Sequence, residues 1–418
     1  MSEIPKSENS PTLAGAAGRA ATRTTVLGAM FLMATSAFGP GFITQTTQFT
    51  AELGATFAFA ILVSIVVDIA VQLNIWRVIG VSGQRAQVLA NRVLPGAGYV
   101  LAALIVFGGL VFNIGNIGGT ALGLDALFGL DVRLGGAISA VVAIAIFAVR
   151  RAGVAMDRIV VLLGVLMILL TSYVAVVADP PVGEALRQSV LPETLGGDVF
   201  LATVTIIGGT VGGYITYAGA HRLVDSGISG RGEVPTIARA SVTGILITGV
   251  VRVLLFLAVL GVVTAGVDVL ASDNPPAVSF QAAAGELGLR LFGVVMWAAA
   301  ISSVIGASYT SISFISTFSP WLERNRSWFV IGFIAVSAAL YLWLDEAPDV
   351  LLVFAGALNG LILPVGLALM LWIAARRTQD LMGGYRYPRW LLISGIVVWI
   401  VTVIIAVQAM EGIVGLLG

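Results

Sequence analysis

The chain has 418 residues, 58% of them apolar and 11% charged, with a formal net charge of zero. A soluble domain carries about 25% charged residues, so this composition excludes one and points to a polytopic integral membrane protein with the lipid bilayer as its first partner. Zero net charge gives no reason to expect a nucleic-acid partner, zero cysteines exclude disulfides and thiolate metal sites, and one histidine, His221, leaves little for imidazole chemistry.

Residues 1–25 are polar with Gly and Ala, lack a hydrophobic signal core, and are expected to form a disordered cytoplasmic tail. Eleven apolar spans follow, near 27–48, 55–76, 96–124, 134–149, 157–178, 199–221, 240–266, 289–317, 328–344, 350–375 and 390–411. With the N-terminus inside, the segments on that side collect most of the Arg and Lys, among them Arg77, Arg85, Arg92, Arg150, Arg151, Arg231, Arg239, Arg324, Arg376 and Arg377. The opposite side holds Arg133, Arg187 and Arg290 and is otherwise acidic. This bias predicts a cytoplasmic N-terminus, an extracytoplasmic C-terminus and placement in a bacterial-type inner (plasma) membrane.

The sixth span is interrupted by Gly208, Gly209, Gly212 and Gly213, with Thr210, Tyr214, Thr216 and Tyr217 beside them. Each glycine costs a helix roughly 1 kcal/mol relative to alanine, so the cluster predicts a break; close packing through small residues is the competing explanation. The first span carries Phe38-Gly39-Pro40-Gly41-Phe42 and then Thr44-Gln45-Thr46-Thr47-Gln48, a polar run unsuited to lipid. Interrupted polar helices at corresponding places in two halves are the pattern of inverted-repeat transporters, whose site lies between the breaks. The expected fold is therefore all-α, a five-plus-five inverted repeat over 26–180 and 181–376, with broken helices one and six and an additional helix in 377–418.

In their order and spacing, several further motifs resemble the NRAMP (natural resistance-associated macrophage protein) family of LeuT-type fold. They are Gly39-Pro40-Gly41-Phe42, the helix-three run Asn113–Gly129, Gly208-Gly209-Thr210-Val211, Ser302-Ser303, Leu363-Pro364 and Leu381–Trp390. The resemblance implies a secondary transporter of divalent metal ions. The departures fall on the groups that hold the metal. With a short gap Gln45, Thr46, Thr47 and Gln48 stand where the family has a carboxylate and an amide, while an ungapped count reaches Thr50; neither register supplies a carboxylate. Gly212 takes the methionine position, Gly213 and Tyr214 the following Pro-His, and Gly356 a glutamine. Asn113 and Asn116 replace an acidic pair that serves protons.

A thioether selects transition metals, and a dehydrated divalent ion needs charged oxygen ligands; neither is supplied here. Gln45, Thr46, Gln48, Thr210, Gly212, Gly213, Tyr214, Tyr217, Gly356 and Asn359 are the candidate substrate-binding residues. A glycine-lined space with these groups is expected to hold hydrated Mg²⁺ in preference to Mn²⁺ or Fe²⁺. A small organic solute, or a transport-inactive sensor, are the alternatives; a chain that ends soon after its last helix leaves little for a sensor's effector region. Asparagine does not titrate, so proton coupling through helix three is not expected.

Asp68 and Arg252 fall mid-span in helices two and seven. A lone charge at the bilayer centre costs at least about 2.5–3.5 kcal/mol, so the two are expected to pair, as a static bridge or as a gate. Ser302 and Ser303 are candidate Na⁺ ligands, and His221, Arg222 and Asp225 read as a solvated cytoplasmic helix end. No nucleotide-binding or catalytic motif appears, so neither an enzyme nor a resident cofactor is expected, and no metal site is assigned.

Overall fold

The computed structural model describes residues 39–149 and 152–415. The expected tail, 1–25, and the opening of the first span, 27–38, lie outside the described residues. Every described element is helical: α1 (Pro40–Leu53), α2 (Phe57–Ser82), α3 (Ala86–Val93), α4 (Ala97–Phe128), α5 (Val132–Ala148), α6 (Ala152–Val177), α7 (Val182–Val190), α8 (Gly197–Val211), α9 (Ile215–Asp225), α10 (Val234–Thr264), α11 (Pro275–Ser316), α12 (Pro320–Arg324), α13 (Arg326–Leu344), α14 (Pro348–Arg376), α15 (Thr378–Leu381), α16 (Arg389–Gln408) and α17 (Met410–Gly415).

Among the described residues, eight helical stretches are long and apolar enough to cross a membrane, and a ninth arises if α6 and α7, bent by 107°, count together. Eleven crossings are thus not established. One stretch, Pro40–Ser82, runs through two of the expected spans, and α5 is apolar but short. Large apolar side chains such as Leu169, Val176, Ile393 and Val407 are exposed on the outside of the bundle, where they meet lipid tails. Trp328, Trp343 and Trp390 are also exposed, each in the first or last turn of its helix, a placement that suits indole rings at a bilayer interface.

Two departures from the expected spans have local causes. Helix α11 begins at Pro275 and not near 289, because a proline pair suits a helix start while Gln281, Glu286 and Arg290 dilute its hydropathy. It bends at Gly285, whose φ of 62° only glycine adopts freely. The second is α7, an amphipathic helix whose alternating polarity hides it from an apolar-span criterion.

Small residues let the helices around the centre approach backbone to backbone. A Cβ on Gly208 of α8 would collide with the Gly356 carbonyl and Gly360 amide of α14; one on Gly360 would strike the Val204 carbonyl. A Cβ on Gly123 of α4 would come within 2.6 Å of the Trp297 backbone of α11, and one on Gly293 within 2.9 Å of the Gly123 carbonyl. Lipid tails give helices no reason to associate by hydrophobicity, so close packing of this kind carries much of the cohesion.

Candidate functional site

The sixth span is broken where the glycines predict. Helix α8 stops at Val211, Gly212 is extended at φ −74°, ψ 168°, and α9 starts after Tyr214. Between them Gly213 has φ +51°, the left-handed region that disfavours side chains. The competing explanation for the glycines also holds, since Gly208 and Gly209 pack against α14 and α1. In the first span α1 starts at Pro40 after an extended Gly39, with ψ 176°; the chain before it lies outside the described residues.

Two amides occupy the space that the glycines vacate. Gln45 of α1 is fully buried, and its side chain lies between Gly209 of α8 and Gly356 of α14, where a Cβ on either glycine would collide with it. Its Nε2 donates to the Leu352 carbonyl at 2.8 Å, while Oε1 has no hydrogen-bond partner. Asn359 of α14 does the same from the other side. Its Nδ2 donates to the carbonyls of Gly108 at 3.0 Å and Ala355 at 2.8 Å, and its Oδ1 lies against Gly213 without a hydrogen bond. The expected glycine-lined cavity is therefore filled by Gln45 and Asn359, because a missing side chain leaves room that a neighbour's amide takes.

The remaining candidates separate into those near the break and those turned from it. Tyr214 is buried, stacks edge-on against Phe112 at 5.9 Å, and its hydroxyl meets Asn116 of α4, whose Nδ2 has no partner. Asn113, one turn earlier, points to α11 and α13 instead, donating to Ser308 Oγ and Ser337 Oγ at 3.0 Å each. Tyr217 is buried with its hydroxyl against Gly366 and its ring edge-on to Phe314 at 5.5 Å. Thr46 bonds back to the Phe42 carbonyl at 2.7 Å, and Gln48 is turned to Glu52 at 2.5 Å. Ser303 is buried with an unpartnered hydroxyl and Ser302 is half-buried; Ala300, one turn away, faces Gly119 near Pro40. Thr44, Thr47, Thr205 and Thr216 add buried hydroxyls without partners. Sequence reasoning misses Thr205, although it lies four residues before Gly209 and so on the same helix face.

Two expectations need correction. Asp68 and Arg252 form no direct ion pair. Instead Arg252 Nη1 donates to Thr210 Oγ1 at 2.8 Å and the guanidinium sits 4.4 Å from the Phe42 ring centroid, while Asp68 Oδ1 is unpartnered. The hydroxyl of Thr210 meets both charges, accepting from Arg252 and hydrogen-bonding with Asp68. The end of α9 is not solvated throughout: His221 is buried, and its Nε2 accepts the Ala86 N–H at 3.1 Å, closing the start of α3. Next to it Arg85 grips Asp225 through three bonds, at 3.3, 3.0 and 2.9 Å.

A helix broken at mid-bundle beside an equally polar partner helix is the architecture of LeuT-fold transport proteins. The crystal structure of a mutant manganese transporter of Eremococcus coleocola has TM-score 0.71 and 17% identity, covering 99% of this chain and 89% of that one. The structure of MhsT in complex with L-phenylalanine has TM-score 0.68 at 16% identity, covering 92% and 98%. In sequence, an uncharacterized membrane protein of Bacillus subtilis, YcsG, is 51% identical over 385 residues, 92% of this chain and 94% of its own length. An uncharacterized membrane protein of Haemophilus influenzae is 52% identical over the same shares. A model of the natural resistance-associated macrophage protein-like family matches residues 30–410, and the chain belongs to that family.

Proposed function

We propose that this protein is a secondary transporter working by alternating access around α1, α4, the α8–α9 break and α14, with hydrated Mg²⁺ as its cargo. The observation that carries this reading is the chemistry of the groups left unpartnered on α1 and α14 and beside the α8–α9 break. Gln45 Oε1, Asn359 Oδ1 and the hydroxyls of Thr44, Thr47 and Thr205 are buried, neutral oxygens. Such oxygens accept hydrogen bonds from waters already bound to a cation but do not replace its hydration shell, which Mg²⁺ gives up reluctantly. Among the described residues no group of three His, Cys, Asp or Glu is placed to grip a bare ion. Gly212 at the methionine position removes the soft ligand that would favour Mn²⁺ or Fe²⁺. Entry of the hydrated ion requires Gln45 and Asn359 to swing off the glycines they cover, which is the rearrangement assigned to the inward–outward transition.

Coupling does not run through α4, since Asn113 and Asn116 carry no titratable proton. In this reading the repeats span 26–180 and 181–376, the N-terminus is cytoplasmic and the C-terminus extracytoplasmic. Flux into liposomes of Mg²⁺, Mn²⁺ and a panel of small organic solutes tests the cargo. Mg²⁺ uptake abolished by Gln45→Leu is expected. Uptake of a solute alone would move the cargo assignment to that solute, Mn²⁺ uptake with proton influx would contradict it, and no flux at all would indicate a sensor.

A further inference from the structure

Two charges in the bundle, on α2 and α10, are not used by the proposed cargo site. Asp68, Thr210, Arg252 and Phe42 come from α2, α8, α10 and α1 and meet in one buried cluster, each no more than 2% exposed. Arg252 spends one N–H on Thr210 and lays its guanidinium over Phe42, leaving Nε and Nη2 without partners. We propose that the Asp68 carboxyl is a proton-binding coupling site, and that Thr210 relays its charge state to the α8–α9 break. The proposal rests on the transport reading above but assigns the driving proton to residues outside the cargo site.

The relay follows from the hydrogen-bond capacity of one hydroxyl. Thr210 accepts from Arg252 and has a single proton, which it gives to the Ile206 carbonyl of its own helix at 2.7 Å. Asp68 is the competing acceptor for that proton. An ionised Asp68 draws the Thr210 proton away from Ile206 and removes the back-bond that bends the last turn of α8, two residues before Gly212. When Asp68 takes a proton from hydronium, one O–H bond of the donor breaks as the carboxyl O–H forms, water is released, and Thr210 is free to bond back to Ile206. The same step takes the cluster from neutral to a net positive charge. A net charge is disfavoured in a closed bundle and tolerated beside a water-filled opening, so the two protonation states favour different conformations.

Arg252 is the charged group that bears on Asp68. The elements packed against α2 carry their other titratable groups toward their ends: Glu52 of α1, Glu184 and Arg187 of α7, Asp198 of α8, and Asp349 and Arg376 of α14. The same holds for His221, Arg222 and Asp225 of α9, Arg231 and Glu233 in the turn before α10, Arg239 of α10 and Arg389 of α16, while α2 itself has Arg77 in its last two turns. Tyr214 and Tyr217, at the break and in the first turn of α9, keep their protons at physiological pH.

The test reads protonation and conformation without reference to cargo. Acid–base infrared difference spectra of the purified full chain should show a protonated-carboxyl band that is lost in Asp68→Asn, shifted in Asp68→Glu and retained in Glu52→Gln. Because the chain has no cysteine, Ser226→Cys and Gln379→Cys can carry spin labels on an otherwise native background. Their distance distribution should change with pH in the labelled protein, and stay fixed when Asp68→Asn or Thr210→Val is added. A carboxyl band that survives Asp68→Asn, or a distance distribution indifferent to pH in the protein with Asp68 intact, overturns the proposal. Mg²⁺ flux should be stimulated by a pH gradient, and that stimulation lost in Asp68→Asn. Failure of the intact protein to move Mg²⁺ while the spectra behave as expected would sink the cargo assignment and leave the proton site standing.

Discussion

Gln45 and Gly213 show two ways in which one residue sets the site. Gln45 fills the gap between Gly209 and Gly356 with a neutral amide, where a family resemblance places a carboxylate. Gln45→Glu keeps the length and adds the charge, so it is expected to raise affinity for bare divalent ions. Titration calorimetry with Mn²⁺ should show binding tightened by about tenfold, equivalent to about 1.4 kcal/mol, at the expense of Mg²⁺ flux. Gly213 is held by backbone geometry as much as by space, since φ is +51° and Asn359 Oδ1 lies where a Cβ would go. Gly213→Ala therefore adds left-handed strain to a collision. Thermal unfolding in detergent should report a loss of about 1–3 kcal/mol, whereas Gly232→Ala, with open space around it, should change little.

At the scale of the element, the α8–α9 break is legible in the sequence because two further glycines, Gly212 and Gly213, follow within one turn of Gly208 and Gly209. Burial and partner choice are not legible. The sequence shows Thr210 beside the break but not that its hydroxyl faces α10, because side-chain direction depends on how far α8 is rotated about its axis. It shows Asn113 and Asn116 three apart, yet Asn113 binds Ser308 and Ser337 while Asn116 reaches Tyr214. From the sequence the glycines suggest the walls of a cavity, and the structure makes them bearings on which α8 and α14 touch. That contact gives its own test. Gly360→Ala drives a methyl into the Val204 carbonyl, and overpacking of this kind costs about 1–3 kcal/mol. The variant should unfold at lower temperature, and Val204→Ala should restore it only in part, because it removes Cγ2 at 2.7 Å but leaves the carbonyl in place.

For the whole molecule, orientation is a question of charge and not of packing. Arginines gather on one set of connecting segments, among them Arg85 and Arg92 between α2 and α4, Arg231 between α9 and α10, and Arg376 and Arg377 after α14. The segments at the other ends of the same helices carry Asp179, Glu193, Asp268, Asp273, Asp345 and Glu346. Arginine on a short loop resists translocation while acidic residues matter little, so the basic ends are expected in the cytoplasm. The Arg85–Asp225 bridge then lies at the cytoplasmic mouth, joining the start of α3 to the end of α9, which is the lower half of the broken helix. The cysteine-free sequence makes this checkable residue by residue. In intact cells a membrane-impermeant maleimide should label Glu346→Cys, in the α13–α14 connection, and leave Ser226→Cys unlabelled until the membrane is permeabilised. Both positions are exposed, so access to the side chain does not limit the reaction. The reverse pattern would invert the whole assignment, placing the Arg85–Asp225 bridge outside.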